Sequence, residues 1–193
     1  MNPTNDDFDW ATLALASGTG EHVPAALREL LSIDPQVRRR AYWRLDNYIV
    51  LQGSLYGAAP FAVKALLQSW PQDDSLKDRM YDLLIELANG GAPDDLEVNW
   101  DDRRMPLKVA TVASLVEGMH HFSHDLGSSL STVRRQAAEL LLALSDYETL
   151  GSQELYELQQ RESDPGIKAL LCELAEAAVE SQVGNEPLPP GAT

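Results

Sequence analysis

The chain has 193 residues, 30 of them acidic and 15 basic, so its formal net charge at pH 7 is −15. Binding to nucleic acid or to an anionic membrane requires a clustered basic surface, and this charge argues against both. The single cysteine excludes an intrachain disulfide, no apolar run approaches the ~20 residues that span a bilayer, and the acidic N-terminus is unlike a secretory signal. We therefore expect a cytoplasmic protein.

The charge is distributed in blocks along the chain. Residues 71–102 carry ten acids and two bases (net −8), and residues 136–193 carry eleven acids and two bases (net −9). Residues 1–70 are almost neutral, whereas residues 103–135 carry five bases and two acids (net +3). Such an uneven distribution predicts one or two negative faces rather than a uniformly charged surface.

Apolar residues recur at helical spacing along nearly the whole chain. The successive stripes predict about nine helices, whose first apolar positions are Trp10, Val23, Val37, Phe61, Leu76, Val109, Val133, Leu155 and Ile167. No segment alternates with a period of two, so we expect an all-α fold without a sheet. A single domain is predicted over residues 1–182, with an irregular acidic loop at 90–102 and a Pro- and Gly-containing tail at 183–193 that we expect to be disordered.

Three predicted helices begin alike, with an apolar residue directly followed by a base. The three starts are Asp34-Pro-Gln-Val37-Arg38, Ser131-Thr-Val133-Arg134 and Asp164-Pro-Gly-Ile167-Lys168. Val133 and Ile167 are 34 residues apart, which is within the spacing of helical-hairpin repeats. Because one hairpin cannot bury its apolar face alone, the hairpins are expected to stack into a right-handed α-solenoid.

This pattern resembles the HEAT-repeat family of the armadillo-like superfamily, in which an Asp in the interhelical turn and a following Val-Arg form a polar ladder between repeats. Asp34 and Arg38 match that ladder. Asp164 and Lys168 match it again, whereas the unit of Arg134 has no Asp at the equivalent position. The resemblance implies a fold of HEAT-like hairpins and a protein-binding scaffold.

The N-terminal half also resembles a group of small bacterial HEAT-like proteins, some of which look like immunity or antitoxin-type partners. The residues that carry this resemblance are Trp10, Leu13, Val23, Pro24, Asp34, Ile49, Gln52, Gly53, Tyr56, Pro60 and Phe61. Within this string, Gly53 is expected to provide a left-handed helix cap, with Gln52 and Tyr56 shaping the turn that follows.

Five carboxylates surround one tryptophan in the predicted acidic loop: Asp94, Asp95, Glu97, Asp101 and Asp102 around Trp100. Two interpretations remain open. The segment is a solvated linker, or it is a partner site in which an exposed tryptophan inside an acidic rim binds a basic protein. Paired acids also perform general acid–base catalysis, but that requires a pocket that separates their pKa values, which a solvated loop does not provide.

A catalytic or metal site has little support in the sequence. His120 and His124 are four residues apart and share a helix face, yet no Cys pair or His-Glu-x-x-His motif supplies further ligands. We favour the interpretation that these histidines lie at a helix C-terminus, where they interact favourably with the helix dipole. We predict no catalytic residue, no metal and no cofactor.

The sequence therefore predicts a non-enzymatic protein-binding module, monomeric when free, whose acidic surfaces bind a basic protein partner. Together with the resemblance, this suggests an immunity-type inhibitor of a cognate toxin. Two alternatives remain open: a scaffold or regulatory subunit of a larger complex, and a HEAT-like enzyme (a lyase or a metal-dependent one) with a site near His120 and His124.

Overall fold

The computed structural model describes residues 8–148 and 150–184, without the side chains of Ser152 and residues 181–184. Within these residues the helices are α1 (Val23–Leu30), α2 (Pro35–Ile49), α3 (Ala59–Gln68), α4 (Asp78–Asn89), α5 (Leu107–Val116), α6 (Met119–Asp125), α7 (Ser131–Leu144), α8 (Ser152–Arg161) and α9 (Pro165–Gly184). The strands are β1 (Glu97–Trp100) and β2 (Arg103–Pro106). The predicted tail at 183–193 begins inside α9 and lies outside the described residues from residue 185 onward.

The prediction of a mostly helical chain is confirmed, but the expectation that it contains no sheet is wrong. Each strand has only four residues, which is too short for a period-two pattern to stand out. The first predicted helix, at Trp10, is a single 3-10 turn. No helix within the described part of the chain combines the length and the apolar composition needed to cross a membrane.

The helices pack in two layers around one apolar core. α2, α4, α7 and α9 lie side by side in chain order and form one layer. In the other layer α3 lies between α1 and α5, while the pairs α1–α2 and α8–α9 pack as hairpins at the two ends. A continuous cluster of buried apolar side chains runs through the molecule from Trp10 to Ala178. Because each layer covers the apolar stripes of the other, neither would be stable alone.

Two of the predicted helix starts are capped by aspartate. Asp34 accepts a hydrogen bond from the backbone N–H of Gln36 at 2.8 Å, directly before α2. Asp164 accepts two, from Gly166 at 2.8 Å and Ile167 at 3.1 Å, at the start of α9. A capping oxygen satisfies N–H groups that have no partner within the helix, and its removal typically costs about 1 kcal/mol.

Arg38 and Arg134 occupy equivalent positions and make equivalent contacts. The Nη1 group of Arg38 donates to the carbonyl oxygens of Ser32 and Ile33, and its Nε donates to Asp78 at 2.9 Å. Arg134 likewise donates to the two carbonyl oxygens five and six residues before it, and its Nε donates to Glu162 at 2.7 Å. Each arginine therefore ties the turn before its own helix to a carboxylate of the next hairpin.

The acid that each of these arginines contacts in the next hairpin is not the capping Asp of the predicted pattern. Asp34 and Asp164 cap their helices, and Asp164 also accepts a bond from Arg135 of the preceding unit at 3.3 Å. Lys168 is exposed, and its backbone N–H bonds the Asp164 carbonyl at 2.9 Å. The missing Asp beside Arg134 thus leaves its contacts intact, because Glu162 supplies the carboxylate.

The apolar stripe predicted on α5 is only partly in the core. Leu115 is fully buried, but Val109 is 53% exposed. The neighbours of α5 are α3, α4 and the two strands, and they leave the Val109 side of the helix open. Val109 therefore belongs to the predicted apolar stripe without belonging to the core.

Candidate functional site

The second half of the predicted acidic loop at 90–102 is not irregular, because it forms β1 and the turn of a hairpin. β1 and β2 pair antiparallel with Trp100 opposite Arg103, so two residues make the turn. These are Asp101 and Asp102, whose φ angles are +47° and +59°. Positive φ at both central residues is typical of the type I′ turn, whose twist matches that of the paired strands.

Trp100 is buried, which contradicts its interpretation as an exposed partner-binding side chain. Its exposed fraction is 3%. Its ring packs edge-on against Phe61 of α3, with the centroids 5.3 Å apart, and Lys64 Nζ lies 4.8 Å from the ring centroid. The physical reason is strand alternation, which turns Glu97 and Asn99 towards solvent and the tryptophan towards the helices. Trp100 therefore anchors the hairpin.

The carboxylates of the segment lie on the surface around this anchor. Asp101 Oδ1 lies 3.1 Å from Lys64 Nζ, and Glu97 Oε2 lies 2.5 Å from Arg104 Nε. Exposed pairs of this kind contribute about 0–1 kcal/mol each. Within the described residues, three carboxylates of the segment are exposed and form no ion pair: Asp94, Asp95 and Asp102.

The turn predicted at Gln52, Gly53 and Tyr56 holds the other end of this segment. Gln52 and Gly53 both have positive φ, +52° and +75°. The carbonyl of Gly53 accepts a bond from Gly91 N–H at 2.8 Å, and Leu55 N–H donates to the Gly91 carbonyl at 2.7 Å. Tyr56 N–H donates to the carbonyl oxygen at the end of α2. The acidic segment is therefore held at its start by backbone hydrogen bonds to Gly91 and near its end by the buried Trp100.

The net-positive block at 103–135 does not form a basic surface. Arg104 pairs with Glu97 on the neighbouring strand. Arg134 and Arg135 pair with Glu162 and Asp164. Lys108 is half-buried and donates to the carbonyl oxygen of Ala88 at 2.5 Å, and burial lowers its pKa. Tertiary pairing therefore removes most of the positive charge that the sequence places next to the acidic segment.

A second candidate site is a cleft between the end of α3 and α6, with a volume of about 230 Å³. His121 stacks on Trp70, with centroids 4.7 Å apart and planes at 10°. The ring of His120 lies 3.8 Å from that of His121, and His124 completes the histidine side of the cleft. We call this feature the histidine cleft. The sequence places its three histidines on one short helix but gives no sign of the stacked tryptophan.

The floor of the histidine cleft is a buried polar network. Lys77 Nζ donates to Asp74 Oδ1 and to Asp125 Oδ1, both at 2.7 Å. Tyr81 Oη donates to the other oxygen of Asp125 at 2.9 Å, and Ser128 donates to Asp74. Lys77 and Asp125 are 3% and 2% exposed. The network joins α4 to α6 and explains why two charged groups remain in the core.

Two groups of this network, Asp74 and Tyr81, have shifted pKa values. Hydrogen bonds from Lys77 and Ser128 lower the pKa of the Asp74 carboxyl. Burial raises the pKa of Tyr81 above its usual range, and the neighbouring Asp125 carboxylate raises it further. Tyr81 is therefore a fixed donor at neutral pH, and both carboxylates are engaged by donors.

The geometry of the histidine cleft does not favour a metal or a small-molecule substrate. Among the described residues, no group of three or more His, Cys, Asp or Glu side chains converges as metal ligands would. The cleft is also smaller than the roughly 300–1,000 Å³ of ordinary ligand sites. Within the cleft, burial of His121 and the nearby His120 lower the pKa of His121, which favours its neutral form.

We predict that acid destabilises the protein through His121. Burial and the nearby His120 lower the pKa of His121 in the folded state. Its contribution to stability is therefore complete above the unfolded pKa of about 6.5 and is lost as the pH falls below it. Urea unfolding from pH 7.5 to 5 should show a steeper loss for the wild type than for His121→Phe, which keeps an aromatic ring on Trp70. Equal slopes would contradict this assignment.

Comparison with known proteins adds no family assignment. No protein-family model matches the chain, and searches of curated proteins and of solved structures return no significant match. The HEAT-repeat resemblance therefore stays a prediction, and function has to be argued from the surface that the described residues form.

Proposed function

We propose that this chain is a non-enzymatic module that binds a basic protein partner through residues 90–106, which we call the acidic hairpin segment. The observation that carries the proposal is the combination of a buried anchor and exposed charge. Trp100 is fixed against α3, while Asp94, Asp95 and Asp102 project from the same segment without ion-pair partners in the described structure. Charges held on a rigid support lose little conformational entropy on binding and steer the approach of an oppositely charged partner.

A second acidic region supports the same proposal. Burial, followed by the carboxylates of Asp46, Glu86 and Asp82 in that order, raises the pKa of Tyr42 to about 12. These acids lie on α2 and α4, which are neighbours in one helical layer. Carboxylates therefore lie near Tyr42 on the helical layer as well as on the hairpin, and this local negative charge is complementary to a basic partner.

We also propose that the helical hairpins are HEAT-like and form a right-handed solenoid. The supporting observations are the consecutive stacking of α2, α4, α7 and α9 and the equivalent contacts of Arg38 and Arg134. Solenoids provide extended surfaces for protein partners. In its specific form the proposal is an immunity-type inhibitor, monomeric when free, whose acids cover the cationic active-site cleft of a toxin.

We expect neutralisation of the hairpin carboxylates to abolish capture of the partner. The variant is Asp94→Asn, Asp95→Asn and Asp102→Asn, and asparagine retains the left-handed conformation that position 102 requires. These side chains form no ion pairs in the described structure, so the free energy of unfolding should change by less than about 0.5 kcal/mol per site. The measurement is affinity capture from a lysate of the source organism, with identification by mass spectrometry.

A matched control distinguishes the effect of the hairpin carboxylates from the effect of the total net charge. Glu173→Gln, Glu176→Gln and Glu180→Gln remove three exposed carboxylates from α9 instead. The account predicts one enriched basic protein that is retained by this control and lost by the hairpin variant. Equal loss with both variants, or an enriched partner that is acidic, would contradict the proposal.

A further inference from the structure

An open apolar groove runs along α5 and is not part of the acidic segment. It is lined by Val109, Val112, Ala113, Val116 and Tyr147 and has a volume of about 220 Å³. Val109 is 53% exposed and Tyr147 is 56% exposed. Lys108, at one end, directs its ammonium group to the Ala88 carbonyl, so its alkyl chain extends the apolar wall. We call this feature the α5 groove.

The residues next to the α5 groove in the chain are acidic. Glu117 directly follows Val116, and Asp146 and Glu148 flank Tyr147; all three are exposed. None of these carboxylates forms an ion pair within the part of the chain that the structure describes. An apolar floor beside acidic residues is complementary to a segment that is apolar on one face and basic at its edges.

The length of the groove and its position along α5 are compatible with a helix as its occupant. Its α5 positions follow the spacing i, i+3, i+4 and i+7, which spans about 10 Å or two helical turns. Amphipathic helices bind grooves of this kind with side chains at the same spacing. The groove is smaller than an ordinary small-molecule site of roughly 300 Å³ or more. A second copy of this chain, with its own charge of −15, would bring acid against acid.

We propose that the α5 groove binds the apolar face of a basic amphipathic helix. This inference rests on the proposed function, because it names the structural element by which the basic partner docks. In this arrangement the apolar side chains of the partner helix cover Val109, Val116 and Tyr147, and its flanking lysines or arginines lie beside Glu117, Asp146 and Glu148.

The test uses a fluorescent synthetic peptide of leucine and lysine, about 14 residues long, whose leucines fall on one helical face. Fluorescence anisotropy measures its binding to the full chain. We expect Val109→Asp and Val116→Asp each to weaken binding at least about tenfold, which is ~1.4 kcal/mol. The same peptide with glutamate in place of lysine should also bind at least about tenfold more weakly.

The matched control is Ile33→Asp, which adds the same charge at a side chain that is 88% exposed and lies on the turn between α1 and α2. Added negative charge strengthens non-specific attraction to a basic peptide, so a loss confined to the groove variants identifies the site. Unchanged binding by Val109→Asp and Val116→Asp, equal binding of the acidic peptide, or no binding by the wild type would each overturn the proposal.

The two proposals fail in different ways. If the hairpin variant loses the captured partner while Val109→Asp retains it, the groove proposal fails and the proposed function stands. If no basic partner is captured, while the lysine peptide binds the wild type and loses affinity only with the groove variants, the proposed function fails and the groove remains a helix-binding surface.

Discussion

Replacement of Asp125 with asparagine is expected to lower the free energy of unfolding by about 3 kcal/mol or more. The substitution keeps the shape of the side chain but removes the charge that Lys77 and Tyr81 both bind. Lys77 is 3% exposed and would keep only Asp74 as an anionic partner. Urea unfolding monitored by circular dichroism measures the effect.

A surface pair provides the control for this prediction. Glu157→Gln removes the acid of an exposed pair with Arg161, where the nitrogen–oxygen distance is 3.7 Å. Such pairs contribute about 0.3–0.5 kcal/mol to the free energy of unfolding.

The double variant Lys77→Met with Asp125→Asn should lose less stability than the sum of its single variants, because each single change leaves a buried group without its partner. A loss below about 1 kcal/mol for Asp125→Asn would contradict the account of the buried network.

The second large effect is expected from Trp100→Ala. The side chain is 3% exposed and packs on Phe61 and Lys64, so its truncation should cost about 3–5 kcal/mol. Trp100→Phe keeps an aromatic ring in the site and should cost clearly less. Limited proteolysis should then cut the alanine variant within residues 94–106 at temperatures where the wild type is intact.

Trp100→Ala also tests whether partner binding depends on the position of the acidic side chains or only on their number. Trp100→Ala removes no carboxylate, yet it releases the support of the segment that carries them. If the proposed function is right, the alanine variant binds the partner more weakly with its net charge unchanged. Full partner binding by a variant whose hairpin is cleaved would show that the fixed geometry of the segment is irrelevant.

The sequence predicts the helical part of the fold well because the signal is local. The stripe that begins at Val133 lies on α7 with its apolar residues buried. The stripe that begins at Val37 lies on α2, where Ala41 and Leu45 are buried and Val37 is half-buried. A buried apolar stripe at helical spacing is a direct consequence of 3.6 residues per turn. The Asp-Pro start at Asp34 also behaves as a cap and first turn should.

The β1–β2 hairpin is not predictable from the sequence pattern in the same way. Its strands have four residues each, and its turn is Asp101-Asp102 rather than the Asn-Gly or Asp-Gly that signals a type I′ turn. The burial of Trp100 depends on Phe61 and Lys64, which are more than thirty residues away in the chain. An acidic composition around a tryptophan therefore indicated exposure where tertiary packing produced an anchor.

The ion pairs of residues 103–135 and the exposed side of α5 are also not predictable from local sequence patterns. The positive block at 103–135 is visible in the sequence, but its pairing with Glu162 and Asp164 is a product of the fold. Val109 and Leu115 both belong to one apolar stripe, and only the arrangement of neighbouring helices determines that the first is exposed and the second buried. Periodicity identifies an apolar face but not whether another element covers it.

The central claim is that exposed carboxylates of the acidic hairpin segment bind a basic partner. The most direct measurement is the salt dependence of the partner's Kd for the wild type and for the Asp94→Asn, Asp95→Asn, Asp102→Asn variant. The account predicts that Kd for the wild type rises at least about tenfold between ~0.05 M and ~0.5 M salt, because screening removes attraction between exposed charges. The variant should start weaker and change much less. A wild-type Kd that is independent of salt, or a variant with the same affinity and the same salt dependence, would contradict it.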